Sequence, residues 1–123
     1  MSGDGDRFLP GRHAIDAYGR GGFRFAGMSH RGSILCLPSG VRAWDEAMDE
    51  AGLAPVFAEA GADLSTLILG TGRAIVHPPA SLRFALRARG VSLDVMDTGS
   101  AARTWNILMA ERRPVAAALI AVD

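Results

Sequence analysis

The sequence of 123 residues contains no lysine, and all thirteen of its basic residues are arginine. Thirteen acidic residues balance them, so the formal net charge at neutral pH is zero. A dedicated nucleic-acid-binding domain usually has a net positive charge and a clustered basic stripe, because it neutralises phosphates. We therefore expect that the chain does not bind nucleic acid. The exclusive use of arginine favours planar, bidentate contacts with anions, or it reflects a compositional bias of the source genome.

Cysteine is nearly absent as well, and the single Cys36 excludes an intramolecular disulfide. Because it lies in an apolar run without charged neighbours, we interpret Cys36 as a small buried side chain rather than a nucleophile. The three histidines are not spaced with one another, or with other candidate ligands, as zinc sites require. No nucleophile elbow occurs. The sequence therefore predicts no metal, no cofactor and no catalytic residues.

Long hydrophobic segments are also missing. The longest strictly apolar run covers eight residues, Val115 to Val122, whereas a membrane-spanning helix needs about twenty. The first residues are polar and rich in glycine, unlike a signal peptide or a mitochondrial presequence. We therefore expect a soluble protein that is at most peripherally attached to a membrane.

Hydrophobic periodicity predicts a single domain over residues 13–123, preceded by a disordered tail over residues 1–12. In the first half of the domain, short apolar segments alternate with glycines. The pattern predicts a β-hairpin whose two strands, Phe23–Phe25 and Ser33–Leu37, are joined by a longer glycine-containing loop. It predicts one more strand at Val41–Trp44. This half is therefore predicted to be antiparallel.

The second half alternates between helical and extended patterns. Leu53–Ala60 has helical spacing, and three nearly uninterrupted apolar strands follow, at Leu64–Leu69, Val91–Met96 and Val115–Val122. Helical segments join these strands, which predicts a parallel sheet covered on both faces. We therefore predict an α/β fold of three layers. A βαβαβ unit supplies a parallel-type central sheet, and the N-terminal half adds antiparallel strands.

Two glycine-containing loops, Gly70–Gly72 and Asp97–Ser100, each follow a strand of this unit. We expect both at the edge where the strands' carboxyl ends meet, a usual ligand position in open α/β sheets. Free helix amides and guanidinium groups suit an anion. The predicted anion site consists of Thr71, Arg73, Thr98, Gly99, Ser100, Arg103 and Asn106. The alternative is that Thr98 or Ser100 merely caps the following helix and that Arg103 lies in solvent.

An ordered series of short motifs between residues 13 and 122 resembles a known family. The motifs are Gly22-Phe23-Arg24, Leu37-Pro38, Trp44, Leu67-Ile68-Leu69-Gly70-Thr71-Gly72, Pro78-Pro79, Gly90-Val91, Val95-Met96-Asp97-Thr98, Ala101-Ala102-Arg103-Thr104-Trp105-Asn106, Glu111 and Val115–Ile120. Their combination resembles relatives of mitochondrial NADH–ubiquinone oxidoreductase (complex I) assembly factor 3. Relatives usually have glycine at the position of Arg112, so we expect the last helix to end differently here.

The resemblance implies a three-layer α/β domain without established catalytic residues. Because the first residues do not resemble a mitochondrial presequence, we expect a bacterial cytoplasmic member of the family, at most peripherally attached to the inner membrane. Eukaryotic members bind a partner factor and early subunits during the assembly of respiratory complex I. We therefore expect a non-enzymatic protein-binding module that assembles a complex I-like respiratory complex, with a subunit or a second assembly factor as its partner. The alternative is a binder of small anionic molecules, or an enzyme acting on them, at the edge formed by Gly70–Gly72 and Asp97–Ser100. The sequence predicts no particular oligomeric state.

Overall fold

The structure is a computed structural model that describes residues 8–123. Over this range the order of elements is β1 (Phe8–Pro10), β2 (Ala17–Gly19), β3 (Gly22–Phe25), β4 (Met28–Arg31), β5 (Ile34–Cys36), β6 (Gly40–Ala43), α1 (Ala54–Glu59), β7 (Thr66–Gly70), α2 (Ala80–Ala88), β8 (Ser92–Met96), α3 (Thr98–Ala110) and β9 (Val115–Leu119). Residues 1–7 of the predicted tail lie outside the described residues. The tail prediction is wrong for β1, because the backbone of Phe8–Pro10 pairs with β6.

The central sheet has six strands in the spatial order β1-β6-β5-β9-β7-β8. Strand β7 pairs in parallel with both β8 and β9, as the uninterrupted apolar runs predict. Strand β5 joins this parallel unit by antiparallel pairing with β9, and β6 and β1 continue the sheet in the same manner. The predicted fold class, a βαβαβ unit extended by antiparallel strands from the N-terminal half, is confirmed.

Helices α2 and α3 cover opposite faces of the central sheet. From β7 the chain passes through α2 to the edge strand β8, and then returns through α3 to β9 on the other side of β7. Right-handed crossovers that step in opposite directions place their helices on opposite faces. Successive residues of β7 show the result, since Leu67 shares a buried cluster with Leu82 of α2, whereas Ile68 shares one with Trp105 of α3.

A second sheet, with three antiparallel strands in the order β2-β3-β4, lies on the α3 side. Phe23 and Phe25 of β3 are buried in the same cluster as Trp105. Helix α1 lies on the other side, where Val56 and Phe57 join the cluster that contains Leu82. The molecule therefore has three layers, with α1 and α2 on one face of the central sheet and α3 with the small sheet on the other.

The predicted hairpin between Phe23–Phe25 and Ser33–Leu37 is wrong. Strand β3 pairs with β4, within the segment predicted to be a loop, whereas β5 lies in the central sheet. The turn at Ala26-Gly27 has φ values of 53° and 73°. Two successive positive φ angles are typical of the type I′ turn, which joins adjacent strands directly. The sequence did not reveal β4, because three of its four side chains are polar and show no alternating apolar pattern.

The single cysteine is completely buried in β5, between β6 and β9. Burial raises the pKa of the Cys36 thiol, because the low-dielectric interior disfavours the thiolate.

No helix within residues 8–123 has the length and apolar character required to cross a bilayer.

Helix α3 ends in a Schellman motif, contrary to the expectation of a different end. The N–H of Arg112 donates to the carbonyl of Met109, and the N–H of Arg113 donates to the carbonyl of Leu108. Arg112 has a φ of 58°, a left-handed conformation that a side chain disfavours. The arginine therefore occupies the position, and adopts the conformation, at which glycine is usual.

We predict that Arg112→Gly stabilises the protein, by about 1 kcal/mol, because glycine adopts a left-handed conformation without steric strain. Thermal unfolding of the wild type and the variant tests this. The matched control is Arg113→Gly, at a neighbouring position that lacks a positive φ, and it should lower the melting temperature or leave it unchanged. A melting temperature of Arg112→Gly below that of the wild type would contradict the strained conformation.

Candidate functional site

The loops that follow β7 and β8 lie side by side at the carboxyl ends of these strands. The N–H of Thr71 donates to the carbonyl of Met96 at 2.9 Å, and the N–H of Thr98 donates to the carbonyl of Gly72 at 2.8 Å. We call this edge, made of residues 70–76 and 96–100, the carboxyl rim. The two bonds bring together four residues of the predicted anion site, namely Thr71, Thr98, Gly99 and Ser100.

Thr98 is completely buried at the carboxyl rim. Its hydroxyl donates to the carbonyl of Ile120 at 2.7 Å and accepts a hydrogen bond from the N–H of Gly72 at 2.9 Å. These bonds join the segments that leave β7, β8 and β9. The Thr98 hydroxyl thus makes both of these hydrogen bonds within the protein, where they hold the strand ends together.

Thr71 has a similar role in the loop after β7, with only 7% of its surface exposed. Its hydroxyl donates to the carbonyl of Ala74 at 2.7 Å and accepts from the N–H of Val76 at 2.9 Å. These two bonds close this loop on itself. The loop conformation is therefore fixed by a buried side chain, not by the packing of its exposed residues.

Asp97 caps α3, so the prediction that Thr98 or Ser100 is the cap is wrong. The Asp97 carboxylate accepts from the N–H of Ser100 at 2.8 Å and from its hydroxyl at 2.9 Å. Both hydrogen bonds lower the pKa of Asp97, and the bond from the Ser100 backbone has the larger effect. A carboxylate already occupies the amide that a bound anion would use, and its charge opposes a second anion there.

The two arginines of the predicted anion site already donate hydrogen bonds to other groups of the protein. The Arg73 guanidinium donates to the backbone oxygen of Asp123 at 3.0 Å, and Arg103 donates to the Ser100 hydroxyl at 3.3 Å. The hydroxyl of Tyr18 lies where a side chain at Gly99 would begin. Within residues 8–123, no group of three His, Cys, Asp or Glu side chains could hold a metal ion.

Asn106 has a structural role that the sequence did not reveal. Its side-chain oxygen accepts from the N–H of Ile15 at 2.7 Å, and its side-chain nitrogen donates to the carbonyl of Ile15 at 2.9 Å. The neighbouring Trp105 indole donates to the carbonyl of His13 at 2.9 Å. Together these bonds fasten the segment between β1 and β2 to α3. In the sequence, the one feature that pointed to such a contact was Trp105, since the N–H of a buried indole needs a hydrogen-bond acceptor.

Two consecutive segments of the chain, the loop after β7 and helix α2, carry exposed apolar side chains and arginines. Ile75 and Val76 of the loop after β7 are 54% and 56% exposed, and Phe84 of α2 is 75% exposed. We call these three residues, together with Arg87, the α2 surface. Sequence reasoning assigned no functional role to it. The available signal was the absence of any acidic residue between Asp63 and Asp94.

Arg87 is the residue on this helix whose guanidinium is available to a partner. Arg83 donates to the carbonyl of Leu93 at 2.8 Å, and Arg89 donates to the carbonyl of Phe57 and lies over its ring. Arg87 makes no such hydrogen bond within the described chain, and its side chain is exposed. The α2 surface thus combines apolar side chains with an unneutralised positive charge.

We predict that Asp97→Asn lowers the melting temperature at neutral pH, because the neutral amide interacts less favourably with the helix N-terminus. A lowered carboxyl pKa stabilises the fold above the unfolded value of about 3.9, and this contribution is lost as the pH falls through the folded pKa. The difference in melting temperature between wild type and variant should therefore shrink below about pH 4. Thermal scans over pH test this, and a difference independent of pH would contradict an ionised cap.

Comparison with protein families identifies the group to which the chain belongs. Residues 15–120 match the family described as "Protein of unknown function (DUF498/DUF598)". The chain is 42% identical over 106 residues to an uncharacterized protein of Rhodobacter capsulatus, and the match covers 86% of this chain and 82% of the relative. It is 31% identical over 112 residues to NADH dehydrogenase (ubiquinone) 1 alpha subcomplex assembly factor 3 of Danio rerio. That match covers 86% of this chain and 63% of the relative, and it confirms the resemblance noted in the sequence.

Solved structures share the fold. A crystal structure of an outer membrane protein from Bartonella henselae is 47% identical, with a TM-score of 0.88 over 95% of this chain and 100% of that one. The solution structure of a Bordetella pertussis protein, described as an Mth938-like domain, is 32% identical, with a TM-score of 0.68 over 89% of this chain and 85% of that one. The match over residues 15–120 and the shared fold show that this chain belongs to the DUF498/DUF598 family.

Proposed function

We propose that this protein is a non-enzymatic protein-binding module that helps to assemble a respiratory complex of the complex I type. The observation that carries the proposal is the 31% identity to assembly factor 3 of Danio rerio, which extends over 86% of the chain. The chain spans 63% of that relative's length. The proposal therefore attributes the assembly role to the domain that the two proteins share.

The α2 surface is the proposed contact with a protein partner. Aromatic and arginine side chains are enriched at interface centres, and exposed apolar patches often mark binding sites. Phe84 and Arg87 are three residues apart and supply both kinds of side chain on one side of a helix. Ile75 and Val76 are exposed in the loop that precedes this helix. Because Thr71 already fixes the loop, little conformational entropy would be lost when a partner binds.

The charge of this segment defines the chemistry of the partner. Residues 64–93 contain four arginines and no acidic residue. A complementary surface would present apolar side chains and carboxylates. The proposed partner is a subunit of the respiratory complex or a second assembly factor, met at the cytoplasmic face of a bacterial inner membrane with which the protein associates peripherally.

Affinity capture from the native bacterium under mild detergent tests the role. We expect the tagged wild type to retain a respiratory subunit or assembly factor, and the substitutions Phe84→Glu and Arg87→Glu to reduce that recovery by about tenfold, as loss of an interface anchor does. The matched control is Ile107→Glu, because Ile107 is 59% exposed but lies on α3. It should retain the partner.

Deletion of the gene should also reduce the amount of assembled NADH–quinone oxidoreductase on native gels. The proposal fails if the deletion leaves the assembled complex at its normal level and capture yields no respiratory protein. If the partner is retained equally by Phe84→Glu and Arg87→Glu, the α2 surface is not its binding site.

A further inference from the structure

The small three-stranded sheet bears a depression of about 620 Å³, lined by residues of β2, β3 and β4 and the turn between the first two. Small-molecule sites usually have volumes of about 300–1,000 Å³. The depression lies on the α3 side of the molecule, away from the α2 surface. It includes no residue of the carboxyl rim.

The pairing of residues between the strands explains why the outer face of this sheet has a depression. One row of paired residues across the three strands consists of Ala17, Arg24 and Ser29. A second row on the same face consists of Gly19, Gly22 and Arg31. Directly opposed residues project to the same face of an antiparallel sheet. Small residues therefore form the floor of the depression, and the longer arginine side chains stand above it.

Three arginines belong to the lining of the depression. Arg20, Arg24 and Arg31 are exposed and line the depression, and no acidic residue lines it. Arg24 donates to the Ser29 hydroxyl at 3.3 Å. Across residues 8–123, the one ion pair within 4.0 Å joins Arg113 to Glu111. No described carboxylate thus neutralises the three arginines of the depression.

The backbone fixes the position of these arginines. Arg20 and Gly21 form the turn between β2 and β3 with φ values of 54° and 77°, typical of type I′. Arg24 and Arg31 belong to paired strands, and Phe23, next to Arg24, is buried in the core. The backbone positions of the three arginines on this small sheet are therefore fixed, although the mutual repulsion of their charges opposes the arrangement.

We propose that this depression, the arginine depression, binds a phosphate group of a small anionic ligand. Guanidinium groups bind phosphate oxygens through two parallel hydrogen bonds, and such charge-assisted bonds are stronger than neutral ones. A phosphate monoester or diphosphate carries more than one negative charge, which suits three arginines better than a single carboxylate does. The phosphate belongs to a soluble phosphorylated molecule or to a lipid headgroup, since both present the same chemistry.

Isothermal titration of the full chain with inorganic pyrophosphate at low ionic strength tests the site. We expect saturable binding that weakens as salt is added. Arg24→Ala should weaken binding by about tenfold, the change expected when a charge-assisted hydrogen bond is lost. Ala17→Leu should weaken it similarly, because it fills the floor while all three arginines remain.

Arg103→Ala is the matched control, because it removes the same charge from α3 and leaves the arginine depression intact. It should bind pyrophosphate as the wild type does. Circular dichroism and melting temperatures in phosphate-free buffer establish that each variant is folded. If Arg24→Ala does not fold, Arg24→Lys and Ala17→Leu decide the question, since the lysine variant retains the charge and loses the planar pair of donors.

Vesicles distinguish the two sources of phosphate. Co-sedimentation with phosphatidylcholine vesicles that contain phosphatidic acid, but not with pure phosphatidylcholine, would indicate a lipid headgroup if Arg24→Ala and Ala17→Leu reduce it. Binding of pyrophosphate alone would indicate a soluble ligand. The proposal is overturned if neither probe binds, if Arg24→Ala and Ala17→Leu bind like the wild type, or if Arg103→Ala alone abolishes binding. None of these outcomes depends on whether a respiratory partner is captured.

Discussion

Two buried threonine hydroxyls satisfy the backbone at the point where the parallel strands end, and the arrangement of the carboxyl rim depends on them. Thr98 joins the segments that follow β7 and β9, and Thr71 closes the loop after β7. A buried backbone group left without a partner costs about 1–3 kcal/mol, so these hydroxyls are difficult to replace by methyl groups. Because they fix the loop from within, Ile75 and Val76 need not pack inward and can remain exposed. The fold thereby holds two apolar side chains in contact with water, which is unfavourable for their solvation.

The neutral net charge of the chain conceals a separation of charge along it. Residues 43–63 contain six acidic residues and no arginine, whereas residues 64–93 contain four arginines and no acidic residue. The second segment supplies the α2 surface. A further group of arginines lies on the small sheet, on the other side of the molecule. Arginines thus lie in two separate parts of the protein, one in a segment that also has exposed apolar side chains and the other on the concave outer side of the small sheet.

Local patterns predicted the elements of the fold that local physics determines. Apolar runs such as Leu67–Leu69 identified the parallel strands, because strands buried on both faces need apolar residues at every position. The turns at Arg20-Gly21 and Ala26-Gly27 were missed, because neither contains the asparagine or aspartate that commonly marks a type I′ turn. The role of Asn106 could not be predicted, since its partner lies 91 residues away in the chain. The candidate surfaces likewise arise from tertiary placement rather than from a motif.

Amide hydrogen exchange at Val76 tests most directly whether the exposed loop is ordered by Thr71. The Val76 N–H lies in an exposed loop and bonds to the Thr71 hydroxyl. It should exchange much more slowly than an unbonded amide in the wild type. In Thr71→Val it should exchange rapidly while the amides of β7 remain protected, since the isosteric side chain keeps the volume and removes the acceptor. Rapid exchange of Val76 in the wild type, or unchanged protection in Thr71→Val, would show that the apolar surface is not held in advance of binding.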